Sequence, residues 1–466
     1  MATVQQELQR GWSIHQQRRY GEAEAIYRGA LQAEPNNSAA WCYLGIALHD
    51  QKRYAEAVDA YQRAIALRPE FPVALNNLGN TLRFVGDIEK ADQSLARAIA
   101  LKPDYVNAYK NRGTLHVWSG NLDRGMHWYE QGLKINPQEA ELHRNLGVIY
   151  LLQGRFEEGW REYRWRWLVG DLRRSSIPAP LWDGGDVAGK VLLLTVEQGL
   201  GDTLNFVRFS RFLRERGAKT LVHCQAPLVA LLQQSPQLGP VYPNTLALET
   251  RVDCHCSLVD VADLLQLNAH NIPTYPGYVT PAPQLMRYWK DRLPLAPGGK
   301  LRVGIVWQGN PDFQADMYRS VPLREFEVLA AIPGVELVSL QNGFGSEQIA
   351  YWQGAQPLKT LGEDVDKTSG AFMDTAAIMK QLDLVITIDT SSGHLACALG
   401  VPTWFALSYT PDWRWLLGRR DSPWYPSATL FRQPTLGDWS SPFRQMAREL
   451  AEWAQRRLAE NVHQAD

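Results

Sequence analysis

Trp41–Pro69 reads WCYLGIALHDQKRYAEAVDAYQRAIALRP. Trp41, Leu44, Gly45 and Leu48 fall at i, i+3, i+4 and i+7, the spacing of one helical face. Ala57, Tyr61, Ala64 and Ile65 mark the inner face of a second helix. Pro69 ends that helix, because proline cannot continue a hydrogen-bonded turn. The stretch is one copy of a motif. Pro35, Pro69, Pro103 and Pro137 stand 34 residues apart, and so do Gly11, Gly45, Gly79, Gly113 and Gly147. Tyr27, Tyr61, Leu95, Tyr129 and Tyr163 keep the same register, as do Ala30, Ala64, Ala98 and Gly132.

Four registers with one period define a helical repeat, and a single hairpin cannot bury its apolar face alone. The small residues let two helices approach, and the aromatic fills the space left between them. The pattern resembles the tetratricopeptide repeat over residues 4 to about 170, so five stacked hairpins are expected. Such a solenoid holds another polypeptide, often along its concave face. Self-association is the alternative. The fifth copy departs from the motif. Arg166 takes its small-residue position and Asp171 its proline position, within the run Trp160-Arg161-Glu162-Tyr163-Arg164-Trp165-Arg166-Trp167. That run is expected to be an aromatic cap that docks the solenoid on the next domain.

After residue 175 the period stops. Ser175–Gly189 (SSIPAPLWDGGDVAG) has linker composition. Short apolar runs then alternate with helical stretches. The expected strands are Val191–Val196, Thr220–Gln225, Arg302–Trp307, Glu336–Leu340, Leu384–Asp389 and Thr403–Leu407. The expected helices include Thr203–Arg216, Leu228–Gln234, Leu323–Ala331, Thr375–Gln381, Ser392–Leu399 and a terminal Pro442–Leu458. Continuous apolar strands between helices predict parallel sheets covered on both faces. A second Pro/Gly-rich break, Leu293–Lys300, divides the region into two Rossmann-like lobes. The predicted division is a solenoid over 1–173, one lobe over 174–297 and another over 298–466.

Ligands of such sheets sit beyond the carboxyl ends of the strands, which singles out two loops. In Glu197-Gln198-Gly199-Leu200-Gly201-Asp202-Thr203 the glycines allow close backbone approach. Asp202 there is either a helix N-cap or a functional carboxylate. Asp389-Thr390-Ser391-Ser392-Gly393-His394 follows a strand and opens a helix. Its amides, hydroxyls and helix dipole suit a diphosphate. His394 either donates to a phosphate oxygen or packs beneath the loop. Arg319, in the polar stretch Gly309–Ser320, is a candidate phosphate partner or a solvated surface side chain.

The segments EQGLGDTLNFVRF, RVGIVWQGNP, YRSVPL, SLQ, MDTAAIM and ITIDTSSGHLACALGVPTW, in that order, resemble the heptosyltransferase-like glycosyltransferases of the GT-B fold. The whole chain resembles bacterial proteins that join tetratricopeptide repeats to such a domain. The resemblance implies sugar transfer from a nucleotide-sugar donor with inversion, and no metal or other cofactor. Asp202 then matches the catalytic base. Asp389, Thr390, Ser392, Gly393 and His394 match the donor-diphosphate site, and Arg319 the basic position that assists it. Gly201, Asn310, Gln341 and the pair Asp374-Thr375 are placed around the donor pocket. The array points to a protein acceptor. A glycan-building transferase that uses the repeats for complex assembly, and a non-catalytic scaffold, are the alternatives.

Composition narrows the partners. A formal net charge of −1 gives no basis for binding nucleic acid or an anionic membrane. Met1–Arg10 (MATVQQELQR) is polar, and no apolar run approaches the ~18 residues of a membrane span. Cys42, Cys224, Cys254, Cys256 and Cys397 are too scattered for a disulfide framework, which makes a cytoplasmic setting the expectation. Cys254-His255-Cys256 lacks metal-site spacing and reads as buried structural cysteine. Pro411–Tyr425, with Trp413, Trp415 and Trp424, either lines a cleft or packs as a connection.

Overall fold

A computed structural model describes residues 3–170, 172, 174, 177–197, 199–247, 250–293 and 299–465. Asp171, Ser175, Ser176, Gln198 and the expected boundaries at residues 173 and 297 lie outside the described residues. The chain forms two compact units. One comprises Met1–Ile149 with Glu162–Val169, and the other Tyr150–Arg161 with Gly170–Asp466.

The repeats fold as α1 (Val4–Gln16), α2 (Tyr20–Ala33), α3 (Ser38–Asp50), α4 (Tyr54–Leu67), α5 (Pro72–Phe84), α6 (Ile88–Leu101), α7 (Val106–Trp118), α8 (Leu122–Ile135), α9 (Ala140–Leu152) and α10 (Phe156–Tyr163). Side chains supply several starts. Thr3 accepts from the Gln6 amide in a capping box, and Asn37, Asp87 and Asn121 accept from Ala40, Lys90 and Arg124 amides.

The glycine register has a steric cause. A Cβ at Gly11 would lie 2.4 Å from Tyr27 Cε1, at Gly45 2.6 Å from Tyr61 Cε1, and at Gly113 2.3 Å from Tyr129 Cε1. The three rings are buried and fill the space that a side chain would need. Gly45→Val is therefore expected to overpack the α3–α4 hairpin and cost about 1–3 kcal/mol. Helix propensity returns only a few tenths of that. The midpoint of helix loss by circular dichroism reads the effect, and an unchanged midpoint would refute the steric account.

The fifth copy ends differently. α10 is short and passes into a 3-10 turn over Arg164–Leu168. The long Arg166 side chain is buried where the other copies carry alanine or glycine. Its guanidinium lies 4.8 Å from the Tyr163 and Trp167 ring centres.

In the other unit, β1 (Val191–Thr195), β2 (Lys219–Cys224), β3 (Val241–Pro243) and β4 (Cys254–Ser257) form a parallel sheet in the order β3-β2-β1-β4. A second parallel sheet holds β5 (Leu301–Ile305), β6 (Val335–Ser339), β7 (Leu384–Ile388), β8 (Thr403–Leu407) and β9 (Ala428–Arg432), in the order β6-β5-β7-β8-β9. Leu384–Ile388 and Thr403–Leu407 are buried throughout, as strands covered on both faces must be. Phe443, Met446, Leu450 and Ala454 of the terminal helix Ser440–Ala465 join the core of the second sheet.

Three expectations needed correction. Thr203–Arg216 is two helices, Leu200–Phe206 and Arg208–Glu215. Arg208 turns fully inward at the break, and its Nε donates to the Asn205 carbonyl at 2.7 Å. Leu323–Ala331 begins as a 3-10 turn, Leu323–Phe326, before the short helix Glu327–Ala330. β3, β4 and β9 were not expected at all. Cys42, Cys224, Cys254, Cys256 and Cys397 are buried free thiols. No helix among the described residues is long and apolar enough to cross a membrane.

Candidate functional site

The two loops singled out by the sequence meet. A Cβ at Gly201 would sit 2.9 Å from His394 Cδ2 and 3.7 Å from Ser391 Cα. Glycine therefore admits the start of helix Ser391–Ala398 against the start of helix Leu200–Phe206. Asp202 lies in the first turn of the latter and does not cap it. Its Oδ1 accepts from Arg414 Nη2 at 2.7 Å. Arg414 is buried and also donates from Nη1 to Asp412 Oδ1 at 2.7 Å. Its guanidinium lies 4.3 Å from the Trp413 ring centre and 5.1 Å from that of Phe206.

The Asp202 side chain keeps 39% of its surface open. Loss of water there pushes its carboxyl above the ordinary aspartate range. Arg414 and His394 pull it back, while Asp412 and Glu197 push it further up. Glu197, in the same loop, accepts a short hydrogen bond from Ser257 Oγ at the end of β4.

The second loop leaves β7 and opens a helix. Thr390 is extended and precedes helix Ser391–Ala398, and its carbonyl takes the Gly393 and His394 amides at 3.1 and 3.2 Å. The Ser391 and Ser392 amides have no intrahelical acceptor. Thr390 is 9% exposed, and its Oγ1 has no hydrogen-bond partner among the described residues. Gly393 is required where it stands, since a Cβ would lie 2.4 Å from Phe405 Cε1. Arg319 Nη1 donates to the Asp389 carbonyl at 2.8 Å, and Nε to Asp316 Oδ1 at 2.9 Å, which sets a cation beside the helix start. Gly309 makes room, for a Cβ there would lie 2.6 Å from Arg319 Nη2.

His394 sits beneath the loop. Its Nδ1 is 2.8 Å from Tyr425 Oη, its Nε2 is 3.6 Å from Asp389 Oδ1, and its ring stacks on Trp415. Burial works against ionisation of Asp389. The nearby His394, with Arg319, outweighs it and holds the carboxyl below the usual range.

Other expected site residues have different work. Gln341 Oε1 accepts from the Trp307 and Gln308 amides at 3.1 and 3.0 Å, and Nε2 donates to the Gln308 and Phe344 carbonyls. Its amide group ties together the loops after β5 and β6. Asp374 is buried and accepts from Trp289 Nε1 at 2.7 Å, the Asp366 amide at 3.0 Å and Ser369 Oγ. The Thr375 amide and hydroxyl donate to Asp366. Asn310 is exposed, and its Oδ1 accepts from the Asp312 amide at 2.9 Å within its own turn. Among the described residues, none of these four side chains makes a hydrogen bond to the helix start at Ser391.

Pro411–Tyr425 divides between its two readings. Trp413, Trp415 and Trp424 are packed inside, while Arg414 between them reaches Asp202. Arg414 was not anticipated, and no local signal marks it.

Comparison with known proteins bears on the N-terminal region. Tetratricopeptide repeat family models match residues 8–72 and 48–112. The N-terminal region therefore carries tetratricopeptide repeats, which indicate protein partners. Protein FlbA of Caulobacter vibrioides (strain ATCC 19089 / CIP 103742 / CB 15) is 29% identical over 322 residues, covering 63% of this chain. The chain spans 52% of that curated relative's length. Among solved structures, MamA has a TM-score of 0.30 at 24% identity, over 33% of this chain and 91% of its own. The pilF protein of Pseudomonas aeruginosa has a TM-score of 0.35 at 17% identity, over 46% and 87%.

Proposed function

We propose that the chain is an inverting glycosyltransferase of GT-B type, with a nucleotide-sugar donor and a protein acceptor recruited by the repeats. The observation that carries the reading is the meeting of the loop that holds Asp202 with the Thr390–His394 loop, where the buried Thr390 hydroxyl has no hydrogen-bond partner among the described residues. The donor diphosphate would take the Ser391 and Ser392 amides and the Thr390 hydroxyl, with Arg319 alongside. Asp202 would accept the proton of the acceptor hydroxyl as its oxygen bonds to the anomeric carbon. The bond from that carbon to the diphosphate oxygen breaks, and the diphosphate leaves with the electron pair. No step calls for a metal.

Thr390→Val tests the anion site while keeping side-chain shape. Calorimetry with uridine, guanosine, cytidine and adenosine diphosphates should find one that binds. The variant should weaken it about tenfold or more, the worth of a hydrogen bond to a charged group. If none of the four binds the unaltered protein, the reading fails.

A scaffold that no longer catalyses is the second reading. The Arg414 pairing of Asp202 favours it, because a paired carboxylate is a weaker base. Diphosphate binding without turnover of any nucleotide sugar would select it.

A further inference from the structure

Arg414 and Asp202 stand 212 positions apart in the chain and come from opposite sheets. Asp202 follows β1, and Arg414 lies in the turn Trp413–Trp415 after β8. The guanidinium is built in rather than draped over the surface. It is 6% exposed, it lies against the Trp413 and Phe206 rings, and Asp412 holds its second nitrogen. Asp412 is in turn fixed, since its Oδ1 also accepts the Arg414 amide at 3.0 Å. A planar fork locked in this way can aim one carboxylate, where a flexible ammonium could not.

We infer that Arg414 is the positioning residue of the Asp202 carboxylate, fixing its rotamer and its charge state. The inference deepens the reading of Asp202 as base and rests on it for its use in catalysis. The groups that face Asp202 are Arg414, Asp412, His394 and Glu197. Three of them have other fixed partners: Asp412 is bound to Arg414, Glu197 to Ser257 and His394 to Tyr425. Arg414 is the cation in hydrogen-bond contact with the carboxylate. One Asp202 oxygen takes the guanidinium, which leaves the other to receive a proton from an acceptor.

The test uses the full chain with Arg414→Gln and Arg414→Lys. The Asp202 carboxylate is titrated by carbon-13 resonance, assigned by its loss in Asp202→Asn. Removal of the cation should move the midpoint upward in Arg414→Gln, with Arg414→Lys between it and the unaltered protein. Hydrolysis of UDP-, GDP-, CDP- and ADP-glucose is followed on the same proteins. Turnover at neutral pH should fall about tenfold in Arg414→Gln with KM unchanged, and its acid limb should move with the midpoint. Exogenous guanidinium should restore part of the loss in Arg414→Gln. An unmoved midpoint in both variants overturns the inference. So does a turnover loss without a shift in the acid limb, which marks Arg414 as structural only. If the unaltered protein hydrolyses none of the four, the base reading falls, and the titration still decides whether Arg414 governs Asp202.

Discussion

Asp202→Asn is expected to lower kcat for sugar transfer by about 10²–10⁴, the usual range for loss of a general base. Nucleoside-diphosphate affinity should stay within about twofold, because Asp202 belongs to the other loop. The amide is nearly isosteric, and its oxygen can still accept from Arg414 Nη2, so the fold around the pair should persist. What is lost is the capacity to take a proton. The pH profile of the unaltered protein carries a matching signature. A base works deprotonated, and this carboxyl is raised by desolvation despite Arg414. Activity should therefore rise with pH through a midpoint above the ordinary aspartate value of about 3.9. Stopped-assay turnover against pH measures both effects. Unchanged transfer by Asp202→Asn would remove the residue from the base role.

The repeat was legible because its signal is steric and local. Gly45 and Tyr61 are 16 residues apart, and each must be what it is because the other is there. The strands Leu384–Ile388 and Thr403–Leu407 were legible for a related reason: burial on both faces leaves mainly apolar residues, with Thr387 and Thr403 the exceptions. Val241–Pro243 is too short to carry a pattern, and Cys254–Ser257 (CHCS) is buried without being an aliphatic run. The meeting of the two loops carries no local signal, since Gly201 follows β1 of one sheet and His394 follows β7 of the other. Gln341 and Asp374 show the opposite limit. Polar residues at the carboxyl edge of a sheet suggest ligand contacts. Here the backbone amides and carbonyls of neighbouring loops, together with Trp289 and Ser369, use those polar groups instead. Arg414 was invisible because the meaning of an arginine between two tryptophans depends on a carboxylate 212 positions away.

Trp160→Ala should destabilise the α/β unit by about 3–5 kcal/mol, the cost of emptying a large aromatic site in a core. Trp160 lies in the Tyr150–Arg161 segment that belongs to this unit, and it is 2% exposed. Its Nε1 donates to the Leu267 carbonyl at 3.0 Å. Its ring meets Trp413 edge-on at 5.4 Å, and Trp413 stacks in turn near Phe206 at 6.2 Å. Trp160→Phe separates the two contributions. Phenylalanine keeps much of the aromatic volume and loses the donor, leaving a buried carbonyl unpaired for about 1–3 kcal/mol. Hydrogen-exchange protection at the amides of β1 and β7 reads the loss where it matters, apart from the melting of the repeats. The alanine variant should also loosen the Trp413–Trp415 turn that aims Arg414. Guanidinium-independent loss of turnover should therefore accompany it, whereas the phenylalanine variant should retain turnover. A fall in protection of under about 1 kcal/mol for Trp160→Ala would make this tryptophan peripheral, because cores that relax around a truncation this large are the exception.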